Sequence, residues 1–287
     1  SRARPARSTQ GSSSAASDVY KRQAYMRAAH QLLDAKPLIL DDPVALPILG
    51  HDAEKNIRDT ATHYQAPEVL ALRTRIVLRS RFTEDRLAAA VTHGIKQYII
   101  LGAGFDTFSL RQPLWAGELK IVEVDHVGTQ SLKRSYIDNA GLVVPQNVVF
   151  ADINFEHESL HDGLLRYNVS LEKPTFFSWL GVMMYLKEEA IDAVLHSVTM
   201  FPAGSEMVLT FVRPQGNAPS IIAQSVINLG EPWLSYFEPE EIEKKLRDAG
   251  FSRVEFLTPE EAETRYFRSR PADLPVPLQT NILSAIR

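Results

Sequence analysis

Ile99-Ile100-Leu101-Gly102-Ala103-Gly104-Phe105-Asp106-Thr107 is the stretch from which the fold is read. An apolar run, QYIIL at 97–101, enters a turn carrying two glycines, and a helix is expected after it. Without Cβ atoms, Gly102 and Gly104 let a ligand come close to the backbone. The next apolar run, KIVEV at 120–124, leads directly to Asp125, 21 residues after Gly104. A carboxylate at that place can accept both hydroxyls of a ribose. Strand, glycine turn, helix and spaced acid together describe an adenosine site at the carboxyl edge of a sheet.

Outward from this unit the alternation continues. NVVFA at 147–151, PTFFSW at 174–179 and SEMVLTF at 205–211 are further strand candidates, with 251–257 and 278–286 as the last two. Helical spacing falls at 128–140 and 187–200. Residues 238–249 read as a helix with acids in the first turn and Gly250 at its end. On the other side, 24–36 has helical spacing, and Asp41-Asp42-Pro43 is expected to open a short helix. A long helix over 67–92 starts at Pro67 and is closed by Gly94. Strands alternating with helices predict an α/β fold with a mostly parallel, doubly wound sheet. The N-terminal helices, about 24–95, form a cap over its ligand edge, and 24–287 reads as a single domain.

Composition narrows the class. The 287 residues are 45% apolar and 23% charged, which excludes a disordered or collagen-like chain. The absence of Cys removes disulfides, Cys-zinc sites, iron–sulfur clusters and thiol nucleophiles, and fits a cytoplasmic setting. No apolar run approaches the roughly 20 residues that span a bilayer. The net charge of −4 conceals an asymmetry, since residues 1–23 hold five basic side chains and one acid. The acidic remainder argues against nucleic acid as a partner. Residues 1–23 are too poor in apolar side chains to offset the cost of ordering, and a disordered tail is expected. Within them, Asp18–Gln23 (DVYKRQ) matches the conceptual translation of a transposase sequencing adapter, so an added segment ending before Ala24 is expected.

The ligand of the glycine turn follows from its next residues. A dinucleotide site wants a third small residue where a helix receives the pyrophosphate. Here Thr107 stands there, preceded by Asp106. A carboxylate is unfavourable beside a pyrophosphate and acceptable beside the ammonium or sulfonium of S-adenosylmethionine (SAM). SAM is therefore the expected ligand.

GAGFDTFSLR at 102–111 resembles the glycine motif of the leucine carboxyl methyltransferase superfamily, in particular its bacterial tetracenomycin-type O-methyltransferases of polyketide biosynthesis. VEVD at 122–125, FADI at 150–153, GVMMYL at 181–186, WLSYFEPEEIEKKLRDAGF at 233–251 and RYFRSRPADL at 265–274 agree with it. The resemblance implies a Rossmann-like class I methyltransferase with seven strands, the last antiparallel. It implies Gly102, Ala103 and Gly104 under the methionine part of SAM, Asp125 on the ribose, and Asp152 and Ile153 beside the adenine. It also implies that Arg79 reaches the methionine carboxylate. Many members carry Glu before the GVMMYL-like segment, where this chain has Leu180. Asp106 is then the candidate for the SAM ammonium.

No metal site is expected, because no H-x-x-x-H or H-E-x-x-H is read as a ligand pair; His157 and His161 sit in a polar, short setting. His126 follows Asp125 and is a candidate cofactor contact and, with Tyr185, a weak catalytic candidate. Trp179, Tyr185, Trp233, Tyr236 and Phe237 are candidates for the wall of an acceptor pocket or for core. The expected function is a SAM-dependent O-methyltransferase acting on a carboxyl or hydroxyl oxygen of a small molecule, with no nucleic-acid or membrane partner. The alternatives are an NAD(P)-dependent oxidoreductase and a catalytically silent binding module of the same fold.

Overall fold

A computed structural model describes residues 10–154, 158–214 and 232–287, with the backbone alone over 10–18. Its centre is a seven-stranded sheet of order β3-β2-β1-β4-β5-β7-β6. The strands are β1 (Gln97–Leu101), β2 (Lys120–Asp125), β3 (Val148–Asp152), β4 (Phe176–Trp179), β5 (Glu206–Thr210), β6 (Arg253–Phe256) and β7 (Ile282–Ile286). The first five pair in parallel, and β7 enters antiparallel between β5 and β6. This is the seven-stranded sheet, with its last strand antiparallel, that the resemblance implies.

The runs QYIIL and EMVLT are continuous rather than alternating because both faces of the sheet are covered, and every residue of β1 and β5 is buried. Ile99, Leu101, Val122, Phe177 and Leu209 enter the core on one face, under α6 (Leu160–Arg166), α7 (Glu188–Thr199) and α8 (Pro239–Ala249). Tyr98, Ile100, Ile121, Phe176 and Val208 enter the other, under α4 (Pro67–Thr92). The helix α5 (Val127–Asn139) packs on β3 and carries Lys133, whose ammonium meets the Glu123 carboxylate in a fully buried ion pair behind the end of β2.

The cap consists of α1 (Gln10–Leu33), α2 (Ala53–Asp59), α3 (Ala61–Tyr64) and α4. The predicted bounds of α4 are met because Pro67 supplies a first-turn residue that needs no donor, and Gly94 takes a φ of 96° just past the end. The C-terminal RYFRSRPADL strap ties the cap down. Tyr266 donates to Asp85 at 2.9 Å, Arg270 donates to the Ala35 carbonyl at 2.9 Å, and Asp273 accepts from the Ala35 N–H at 2.6 Å.

Two expectations are corrected. No α-helix follows the glycine turn. Two short 3-10 turns, Phe108–Leu110 and Leu114–Ala116, fill the crossover to β2. Asp106 takes the Phe108 N–H at 2.8 Å with its side chain, and Pro113 cannot continue a helix. Asp41-Asp42-Pro43 likewise opens a turn, followed by a 3-10 turn at Pro47–Leu49, because Asp42 is engaged elsewhere. The helix α1 runs through Ala24, and Val19 is buried.

Candidate active site

The glycine turn lies at the carboxyl end of β1, with Gly102 and Gly104 at φ of 64° and 47°. Both conformations favour glycine, and both backbones are closely approached. A Cβ on Gly102 would stand 2.4 Å from a Val182 methyl, and one on Gly104 2.7 Å from the Tyr20 ring. Ala103 is buried, and its N–H donates to the Val124 carbonyl at 3.0 Å, which fixes the turn against β2.

Asp125 ends β2 beside this turn and is 6% exposed. One carboxylate oxygen accepts from the Gly104 N–H at 2.6 Å and the other from the His126 N–H at 2.7 Å. Burial nonetheless raises its pKa to about 6. His126 itself is exposed and acts as the N-cap of α5, its Nδ1 accepting from the Gly128 N–H at 3.1 Å. Asp152 pairs in register with Asp125 on the adjacent strand and is part-buried. Ile153 is 1% exposed and turned into the core, where it packs over Gly163.

Of the four arginines between 73 and 81, one faces the turn. Arg73 is buried against Asp34 and the Tyr64 carbonyl, Arg75 is exposed, and Arg81 pairs with Asp85. Arg79 lines the cleft with Gly102, Ala103, Asp106 and Leu180, and donates to Gln23 Oε1 at 2.7 Å. Burial, with Arg27 nearby, pushes its pKa down to about 10. As it stands the cleft encloses about 30 Å³. That is the room of about one water, because Tyr20 and Gln23 of α1 fill it.

Sequence reading missed Arg27 and Asp42. Asp42 is fully buried beneath the turn and accepts from Thr107 Oγ1 at 2.6 Å and the Val44 N–H at 3.2 Å. The guanidinium groups of Arg27 and Arg111 lie 3.4 and 3.3 Å from it. Arg27 also donates to the Phe105 carbonyl, and Arg111 to Glu84. Asp42 thus clamps residues 105–111 to the cap. The Asp-Asp-Pro motif was the available signal, although its spacing of 65 residues from Thr107 hides the partner.

Of the aromatic candidates, Trp179 and Phe237 are core, and Tyr236 is 38% exposed. Tyr185 and Trp233 line a second cavity beyond Arg79. His161 lies on α6, while His157 falls outside the described residues. Among the described residues, no three potential metal ligands lie together, and no helix is long and apolar enough to cross a membrane.

The leucine carboxyl methyltransferase family profile matches residues 21–199. YktD of Bacillus subtilis, which bears the name of an S-adenosyl-L-methionine-dependent methyltransferase, is 31% identical over 279 residues, 88% of this chain and 91% of its own. A Mycobacterium marinum protein of the same name is 27% identical over 240 residues, 79% of this chain and 76% of its own. A DUF574 family protein from Streptomyces avermitilis superposes with a TM-score of 0.55 at 13% identity, over 93% of this chain and 95% of its own. A Thermobifida fusca structure named as a methyltransferase gives 0.52 at 18% identity, over 84% and 91%. These two structures speak to the fold alone.

Proposed function

Because the chain belongs to the leucine carboxyl methyltransferase family and is a SAM-dependent methyltransferase, we propose that it methylates a carboxylate oxygen of a small, polyketide-like metabolite. The residues at the glycine turn fit SAM. A buried carboxylate, Asp125, holds the turn and keeps lone pairs for two ribose hydroxyls. Arg79 offers a planar cation to the methionine carboxylate, and Asp106 offers a negative charge to the ammonium in place of the acid that Leu180 replaces. Asp152 borders the adenine side, whereas the buried Ile153 would shape it only through packing. SAM supplies an electrophilic methyl group with a thioether as leaving group.

The enzyme's part is to align donor and acceptor and to exclude water. The observation that carries a carboxylate acceptor is the lining of the two cavities. Among the described residues it contains no His, and His126 is exposed and committed to capping α5. A carboxylic acid with a pKa near ~4 is ionised at neutral pH and needs no base, whereas a phenol near ~10 does. At saturating SAM, kcat with a carboxylic acid acceptor is expected to stay flat from about pH 8 to pH 6. His126→Ala is expected to lower it by less than about tenfold, below the usual ~10²–10⁴ of a general base. A rate that falls about tenfold per pH unit below 7, and loses that dependence in the His126 variant, would establish base-assisted methylation of a hydroxyl instead. Tight SAM binding without transfer to any acid or phenol would establish a silent binding module.

A further inference from the structure

The second cavity, about 90 Å³, lies on the far side of Arg79 from the glycine turn. Its walls are mainly apolar, with Leu72 and Ile76 from α4 and Met184, Tyr185 and Trp233 from the loops at the carboxyl edge. Arg79 lines both cavities and so stands between them. Among the described residues, the indole N–H of Trp233 is buried and has no hydrogen-bond partner. The same group of Trp179 is also unpartnered, but that side chain is sealed in the core and lines neither cavity. An unpaired N–H in an apolar wall is costly unless something supplies an acceptor.

We propose that this cavity binds the carboxyl-bearing end of the acceptor, a short apolar body carrying a keto or ether oxygen that accepts the Trp233 N–H. A volume of about 90 Å³ suits a short aliphatic segment better than a fused ring. Trp233 then determines specificity by reading the oxygen. The assignment rests on the methyltransferase reading above only for its direction, from donor cleft to acceptor.

The test compares two acids of matched shape, 4-oxopentanoate and 4-methylpentanoate, by calorimetry with and without S-adenosylhomocysteine. Trp233→Phe is expected to weaken 4-oxopentanoate about five- to tenfold, the loss of one neutral hydrogen bond, and to leave 4-methylpentanoate within about twofold. The wild-type chain gives an independent reading. Of the indole N–H resonances of Trp115, Trp179 and Trp233, that of Trp233 is expected to move downfield with the keto acid and not with the branched one. Equal losses for both acids, no loss for either, an unmoved indole resonance or no binding of the keto acid would each overturn the proposal. Heat from S-adenosylhomocysteine reports the donor site separately, so failure of the methyltransferase reading is seen as its absence.

Discussion

Asp125→Ala is expected to weaken SAM about a hundredfold. The lost contacts are two charge-assisted hydrogen bonds to the ribose, each worth roughly 1.5–3 kcal/mol, partly regained by water in the widened site. The carboxylate also holds the N–H groups of Gly104 and His126, so the turn loosens as well. Calorimetric titration at pH 8 checks the affinity, and an unchanged Kd would remove Asp125 from the site. Its pKa, raised to about 6 by burial, adds a signed dependence on pH. The ribose hydroxyls donate to the ionised form, so affinity is expected to fall as pH drops through 6, with a proton released on binding in that window. The ligand-free protein should respond in the opposite sense. A folded-state pKa above the ordinary aspartate value of 3.8 means that the charged form burdens the fold. This group's contribution to stability therefore improves as pH falls from above 6 towards 4. Opposed trends of SAM affinity and of this stability contribution across one pH interval would identify a single buried carboxylate as their source.

Asp42→Ala is expected to cost about 3–5 kcal/mol of stability, because it leaves Arg27 and Arg111 facing each other over an empty acceptor. At roughly 2–4 °C per kcal/mol for a chain of this size class, the melting temperature should fall by about 10 °C. SAM affinity should fall with it, since Thr107 loses its tie to the cap. Glu158→Ala is the natural control. Its partner Arg166 is 51% exposed, and such surface pairs are worth about 0–1 kcal/mol. A melting temperature for the Asp42 variant within a degree or two of the control would show that the clamp is not needed for folding.

The strands and the long cap helix were legible because their signals are local. Continuous apolar runs mark strands covered on both faces, and Pro67 and Gly94 punctuate α4 by backbone chemistry alone. The crossover after Gly104 was not legible as 3-10 turns, because its helix competes with a side-chain hydrogen bond from Asp106 to the backbone. Within the site, Gly102, Gly104 and Asp125 are brought together as their spacing suggests. Arg79 could not be singled out from Arg73, Arg75 and Arg81 until the rotation of α4 was known. Asp42 escaped because its partners are distant in the chain. The polar composition of 1–23 predicts disorder, yet Tyr20 and Gln23 find partners in Gly104 and Arg79 that composition does not reveal.

If SAM occupies the cleft at the glycine turn, those two side chains would also govern how fast it fills. Tyr20 would have to be drawn off the turn and Gln23 off Arg79 by a movement at the start of α1. Only the fraction of molecules in that withdrawn state is competent, and the apparent dissociation constant is the intrinsic one divided by that fraction. The contact between α1 and the turn therefore acts as a kinetic step in series with binding. Association slows in proportion to how firmly Tyr20 packs, and at high ligand the observed rate levels off at the rate of withdrawal rather than rising without limit.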